Sequence, residues 1–173
     1  MVWRRIARSL RDGPATDRAE LPPDDTVQSL AAALEAAAQR RLGRSLSIRH
    51  VDSGSCNGCE LELHALNGIV YDLERFGLRF VASPRHADVL LVTGPLTRNL
   101  REALERSWEA TPDPKWVVAI GDCAVDGGVF KGSYAVLGGA GAAVPVSLVI
   151  GGCPPTPAQV LSGLRALLEA NAG

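Results

Sequence analysis

Four cysteines, Cys56, Cys59, Cys123 and Cys153, are the residues of this chain whose type and spacing best suit them to chemistry. The first two stand as C-x2-C. A long interval then separates Cys59 from Cys123, and a shorter one leads on to Cys153, which sits in Gly151-Gly152-Cys153-Pro154-Pro155. A thioredoxin-like dithiol would use the C-x2-C pair and leave Cys123 and Cys153 without a role. A structural zinc site could use all four, although zinc more often takes two closely spaced pairs than one pair and two distant singles. Buried, unreactive thiols are a third option, since cysteine is among the most buried residue types. A 4Fe-4S cluster needs four thiolates around one compact anion, and cysteine followed by proline recurs at such sites. One 4Fe-4S cluster on Cys56, Cys59, Cys123 and Cys153 is the reading taken from the spacing, with zinc and dithiol or buried thiols beside it.

The elements that must position these thiols follow from hydrophobic pattern. From residue 46 onward, short apolar runs alternate with helical stretches, the signature of βαβ units and a parallel sheet. Strands are expected at 46–51, 78–82, 89–93, 116–120 and 146–150. Helices are expected at 60–76, 98–110 and 157–170, with Pro157 in the permitted first helical turn. Val51 leads to Cys56 and Cys59, Ile120 to Cys123, and Ile150 to Cys153. In an open parallel sheet all loops that follow strands emerge on the carboxyl edge, so cysteines far apart in sequence converge there. Gly54, Gly58, Gly121, Gly127, Gly128, Gly151 and Gly152 flank the thiols and would let main-chain N–H groups approach an anionic cluster. If the helix near Cys59 points its N-terminus at the site, its partial positive charge is expected to lower the thiol pKa.

The expected fold is α/β, with a parallel sheet in a three-layer domain over residues 45–173 and a helical extension before it. An Ala-rich helix occupies 26–44, capped by Asp25 or Thr26 and closed by Gly43. Residues 12–25, with Gly13, Pro14, Pro22 and Pro23 among charged side chains, form a linker. Residues 1–11 carry Trp3, Ile6, Ala7 and Leu10 at helical spacing among Arg4, Arg5, Arg8 and Arg11. Such a basic segment suits an anionic membrane surface, a partner subunit or plain solvation.

Composition excludes several classes. With 46% hydrophobic and 21% charged residues the chain can bury a core and is not disordered. A net charge of -1 and 5% aromatic residues give no basis for nucleic-acid binding. No apolar run approaches the roughly 18 residues of a membrane-spanning helix. No signal-peptide core precedes Asp12. The expectation is a peripheral protein in a reducing compartment, where four cysteines serve metals or redox chemistry rather than disulfides.

Further residues carry a resemblance. Cys56-Asn57-Gly58-Cys59-Glu60, Ser83-Pro84-Arg85-His86-Ala87-Asp88, Thr93-Gly94 with Thr97, Pro112-Asp113-Pro114-Lys115-Trp116, Gly121-Asp122-Cys123 with Gly127-Gly128, Val144-Pro145-Val146 and Gly152-Cys153-Pro154-Pro155-Thr156 occur in this order. Over residues 45–169 the chain resembles the 20 kDa subunit family of NADH:quinone oxidoreductase, in particular its branch of small subunits from energy-converting, formate hydrogenlyase-like nickel-iron hydrogenases. The resemblance implies a flavodoxin-like domain that binds the cluster nearest a large catalytic subunit, with Cys56, Cys59, Cys123 and Cys153 as ligands. It also implies a ferredoxin-like subunit as electron source, membrane subunits as anchors, and a position on the cytoplasmic face of the membrane. Complex I members have two adjacent cysteines in the first motif, whereas Cys56-x-x-Cys59 follows the hydrogenases, which sets quinone reduction second. Uptake-hydrogenase small subunits are longer and carry cysteines for further clusters, which this chain lacks. Ser147 and Gly151 replace an aspartate and a proline common at those places, and neither replaces a ligand.

The remaining polar residues have bland readings beside functional ones. Glu60 and Glu62 could relay protons or tune a cluster. Capping and solvation of a first helical turn is the reading taken for Glu60. His64 and His86 could donate to a cluster sulfur or be ordinary satisfied side chains. Arg85 suits an interface or a surface ion pair. Asp122, beside Cys123, is expected to point outward or meet a cation, because it would repel an anionic cluster.

Overall fold

Strands Val89–Thr93 and Trp116–Ile120 are buried on both faces, so neither can lie at a sheet margin. Continuous apolar runs of this kind belong to parallel sheets covered by helices on both sides. The structure, a computed structural model, describes residues 24–170. The basic segment 1–11 and most of the linker at 12–25 lie outside the described residues.

In chain order the described elements are α1 (Asp24–Leu42), β1 (Ser47–Asp52), α2 (Gly58–Leu66), β2 (Arg79–Phe80), β3 (Val89–Thr93), β4 (Leu96–Thr97), α3 (Arg101–Ala110), β5 (Trp116–Ile120), α4 (Asp122–Asp126), β6 (Val136–Gly138), β7 (Leu148–Ile150) and α5 (Pro157–Ala170). Short 3-10 turns at Leu73–Phe76, Pro84–His86, Gly128–Phe130 and Ala140–Ala142 punctuate the loops. Five strands form one sheet in the order β2-β1-β3-β5-β7, and every pairing is parallel. Renumbered along the sheet strands alone, this is the 2-1-3-4-5 order of flavodoxin-like folds. The expected α/β fold with a parallel sheet and a preceding helix is therefore what the chain adopts.

Side-chain alternation along the strands divides the core in two. Ile48, Val89, Leu91, Trp116, Val118 and Ile120 face α1, α2 and α5. Leu90, Val92, Val117 and Ala119 face α3 and α4 through Leu104 and Ala124. Helix α1 buries Ala31, Leu34, Ala37 and Ala38 in the first layer and packs along α5. At the amino edge Asp88 is 3% exposed and accepts from the Ser47 N–H at 2.9 Å and from Arg44 Nη1 at 2.9 Å, which fixes the start of β3 against β1.

Several boundaries differ from expectation for local reasons. The helix expected at 60–76 ends at Leu66. There the N–H of Asn67 bonds back to His64 and that of Gly68 to Ala65, and Asp72 then adopts a left-handed conformation at φ 45°. Strand β2 has two residues because the Ser83-Pro84 turn opens soon after it, so it falls short of the expected 78–82. Strand β7 begins at Leu148, past Pro145, and helix α3 begins at Arg101 rather than residue 98. The antiparallel pair β4–β6 and the short helix α4 have no counterpart among the expected elements.

Candidate cysteine-lined cofactor site

Strand β1 ends at Asp52, whose Oδ1 accepts the N–H groups of Gly54 and Ser55 at 2.8 Å each. That turn redirects the chain so that Cys56 follows the loop and Cys59 falls in the first turn of α2. The Ser53 hydroxyl donates to the carbonyls of Thr93 and Gly94 at 2.8 and 2.9 Å, which ties this loop to the end of β3. Strand β5 delivers Gly121 and then Cys123 in α4, and β7 delivers Cys153. The third and fourth segments are laced together as well. Asp122 N–H donates to the Gly152 carbonyl at 2.9 Å, and Asp122 Oδ1 accepts the Gly152 N–H at 2.8 Å.

The result is one cavity of about 120 Å³ lined by Ser55, Cys56, Gly58, Cys59, Gly94, Asp122, Cys123, Gly152, Cys153 and Pro154. All four cysteines singled out from spacing line it, and all four are free thiols. Cys56 and Cys153 are exposed, Cys59 is partly covered and Cys123 is 8% exposed. Among the described residues no group of three His, Cys, Asp or Glu side chains stands close enough to hold a single metal ion.

Two glycines make this approach feasible. A Cβ on Gly121, at φ +85°, would lie 2.5 Å from Cys59 Sγ, and one on Gly128 would lie 2.8 Å from Cys123 Sγ. Any side chain at either position would occupy space the sulfur holds.

Burial pushes the Cys59 thiol up to about 11, helped by the charge of Glu60 and by the other three cysteines. Burial likewise raises Cys123, with Cys153 and Cys56 adding and a backbone hydrogen bond from Val129 opposing. The lowering expected from the helix end is thus overridden at Cys59, where desolvation and neighbouring negative charge dominate. Cys59 and Cys123, which burial holds as thiols, need a cationic centre nearby to become thiolates.

The other sequence-selected residues separate. Glu60 is not a solvated cap. It is 7% exposed and accepts from the hydroxyls of Ser55 and Thr93. Asp122 is exposed but lines the cysteine cavity instead of turning away from it, and its carboxylate meets the Gly152 N–H rather than a cation. Arg85 and His86 are exposed in the turn before β3, away from the thiols. His64 and Glu60 line a second cavity of about 270 Å³ together with His50, Asn67 and Phe80. Ser55, Thr93 and His50 have site-adjacent roles that their sequence positions do not signal. A hydroxyl ending the apolar run 89–93, just before a glycine, is the available hint for Thr93.

A parallel sheet in the 2-1-3-4-5 order, with side chains gathered in the crevice at its carboxyl edge, places the chain in the flavodoxin-like class of α/β folds. Residues 56–167 match the family described as NADH ubiquinone oxidoreductase, 20 Kd subunit, and the chain belongs to that family. It is 44% identical over 148 residues to formate hydrogenlyase subunit 7 of Escherichia coli, across 86% of this chain and 58% of that protein. It is 48% identical over 128 residues to a probable membrane-bound hydrogenase subunit, mbhJ, of Pyrococcus furiosus, across 74% of this chain and 77% of that one. Among solved structures, a chain of the membrane-bound sulfane sulfur reductase, an archaeal respiratory membrane complex, is 34% identical. The two superpose with a TM-score of 0.65 over 80% of this chain and 74% of that chain. The chain thus spans little more than half the length of the formate hydrogenlyase subunit.

Proposed function

We propose that this chain is an electron-transfer subunit that carries one 4Fe-4S cluster on Cys56, Cys59, Cys123 and Cys153 within a membrane-associated complex of the hydrogenase type. The observation that carries the reading is the meeting of four cysteines, delivered by three different strand ends, around one cavity.

The bound group would supply one-electron transfer. The chain's own residues would hold it, exclude water from its inner side through the buried Cys123, and lock the Cys123 and Cys153 segments together through Asp122 and Gly152. Catalysis then belongs to a large subunit, with electrons supplied by a ferredoxin-like subunit and anchoring by membrane subunits. The names of the formate hydrogenlyase and membrane-bound hydrogenase relatives support such a setting. No helix among the described residues is long and apolar enough to cross a membrane, which fits peripheral attachment. Leu61 and Val129, close in sequence to Cys59 and Cys123, are strongly exposed. They offer apolar surface for another subunit to cover. Coupling to quinone is the second reading, and the C-x2-C pair of Cys56 and Cys59 in place of adjacent cysteines sets it behind hydrogen chemistry.

The test is stopped-flow mixing of the anaerobically reconstituted chain with a reduced ferredoxin-type donor. Bleaching of the visible absorption in the wild type and its loss in Cys153→Ser are the expected results. A reconstituted wild type that accepts no electrons would defeat the relay role.

A further inference from the structure

The loop that presents Cys56 and Cys59 leaves β1 through Ser53, which is fully buried. The Ser53 N–H donates to the Thr93 carbonyl at 3.0 Å, and its hydroxyl donates to the carbonyls of Thr93 and Gly94. Its own carbonyl accepts twice from one residue, Thr97, through the N–H and the Oγ1 hydroxyl at 2.9 Å each. Every one of these bonds ends on a main-chain carbonyl, which can only accept, so each has a single direction. Thr97 also fills the space beside the next residue, since a Cβ on Gly54 would collide with Thr97 Cγ2.

On its other side Thr97 belongs to β4, which pairs with β6 apart from the five-stranded sheet. Arg98 extends the pairing, donating from its N–H to the Ala135 carbonyl at 2.9 Å. Just past β6 the chain lies directly on α4, where a Cβ on Gly139 would run into the carbonyls of Ala124 and Val125. Helix α4 carries Cys123. A continuous chain of contacts thus runs from the Cys56–Cys59 loop through Thr97 to the Cys123 segment. We infer that Thr97 is a positioning residue of the cysteine site, whose hydroxyl holds the Cys56–Cys59 loop in register with the Cys123 segment before any cofactor arrives. Walls fixed in advance reduce the ordering cost when several side chains must meet one group. The inference rests on the reading of the cavity as a cofactor site, and it adds the residue that sets the spacing between the cavity walls.

The experiment is alkylation of the metal-free full chain by iodoacetamide, resolved by site with mass spectrometry, in wild type, Thr97→Val, Thr97→Ser and Thr111→Val. The partly covered Cys59 reports on the loop, and the exposed Cys153, on a segment that Thr97 does not hold, is the internal reference. Valine keeps the shape of threonine without the hydroxyl, and serine keeps the hydroxyl. Thr111, 2% exposed, donates from Oγ1 to the Ser107 carbonyl at 2.8 Å. It stands ahead of β5, at the sheet edge opposite the thiols, so Thr111→Val removes an equivalent bond away from the site. The expected result for Thr97→Val is a roughly two- to tenfold rise in Cys59 labelling relative to Cys153, the factor by which losing one ordinary hydrogen bond favours local opening. Thr97→Ser and Thr111→Val should stay near the wild-type ratio. A wild-type ratio in Thr97→Val, or an equal rise in either of the other variants, would overturn the inference. Should Thr97→Val not fold, hydrogen exchange of the wild type decides. The Ser53 and Thr97 amides should then exchange as slowly as those of β3, and rapid exchange at either would overturn the inference. None of these readouts needs a cluster, so they judge Thr97 alone, while iron and sulfide content judges the proposed function.

Discussion

Replacing Gly121 by alanine imposes two separable costs. The residue sits at φ 85° and ψ 153°. That conformation is essentially reserved for glycine, so an added Cβ strains the backbone by about 1–3 kcal/mol. The same Cβ would stand 2.5 Å from Cys59 Sγ and 3.4 Å from the Gly152 carbonyl oxygen. Overpacking of this kind costs about 1–3 kcal/mol. Gly132 is the matched control, since it has φ +83° and nothing within 4 Å of the place a Cβ would take. Gly132→Ala should therefore lose only the left-handed backbone cost of about 1–2 kcal/mol. For a chain of this size each kcal/mol corresponds to roughly 2–4 °C in Tm, so Gly121→Ala should melt several degrees below Gly132→Ala. Rotation of the Cys59 side chain can relieve part of the clash, but it swings the sulfur out of the cavity and should lower the iron content. The assay is thermal melting of the metal-free proteins alongside iron and sulfide content after reconstitution. If Gly121→Ala melts with Gly132→Ala and also loads like the wild type, the close approach between Gly121 and the Cys59 segment is wrong.

Three further outcomes are expected. Asp122→Ala removes the acceptor for the Gly152 N–H. It should cost about 0.5–1.5 kcal/mol in urea unfolding, whereas Asp122→Asn, which retains a carbonyl oxygen, should lose less. Burial lowers the His50 pKa below 6.5, so above that value both folded and unfolded states hold the ring neutral. As pH falls through 6.5 the unfolded chain takes the proton first, and stability declines until the lower folded value is passed. Unfolding midpoints should accordingly fall further for the wild type than for His50→Gln between slightly alkaline and mildly acidic buffer, and equal losses would contradict the assignment. Asp88→Ala deprives the Ser47 N–H as well as Arg44 of a partner. In denaturant titrations it should cost about 2 kcal/mol, against about 1 kcal/mol for Arg44→Met, whose side chain is half exposed.

The parts of the fold that are legible in the sequence are those whose signal is local. The apolar runs that form β3 and β5 fit covered strands, and a cysteine after each of three strand ends points to the shared edge. Where expectation and structure part, the deciding contacts are short or distant. Nothing periodic distinguishes 60–66 from 67–76, and the helix stops because backbone N–H groups at Asn67 and Gly68 turn back on the preceding carbonyls. Leu96–Thr97 and Val136–Gly138 are too brief to show alternation, so their pairing is invisible in the sequence. Glu60 resembles a helix cap there because its partner Thr93 is remote in the chain. Thiol acidity is hidden for the same reason. A helix end is visible in one dimension, whereas burial and the crowding of three other cysteines are not.

Whether the four cysteines together hold an iron-sulfur cluster is measured most directly by elemental analysis. Purified chain reconstituted without oxygen should contain about four iron and four acid-labile sulfide per polypeptide, falling sharply in Cys153→Ser. One zinc per chain with no labile sulfide would contradict the cluster reading and make this member of the family a structural subunit.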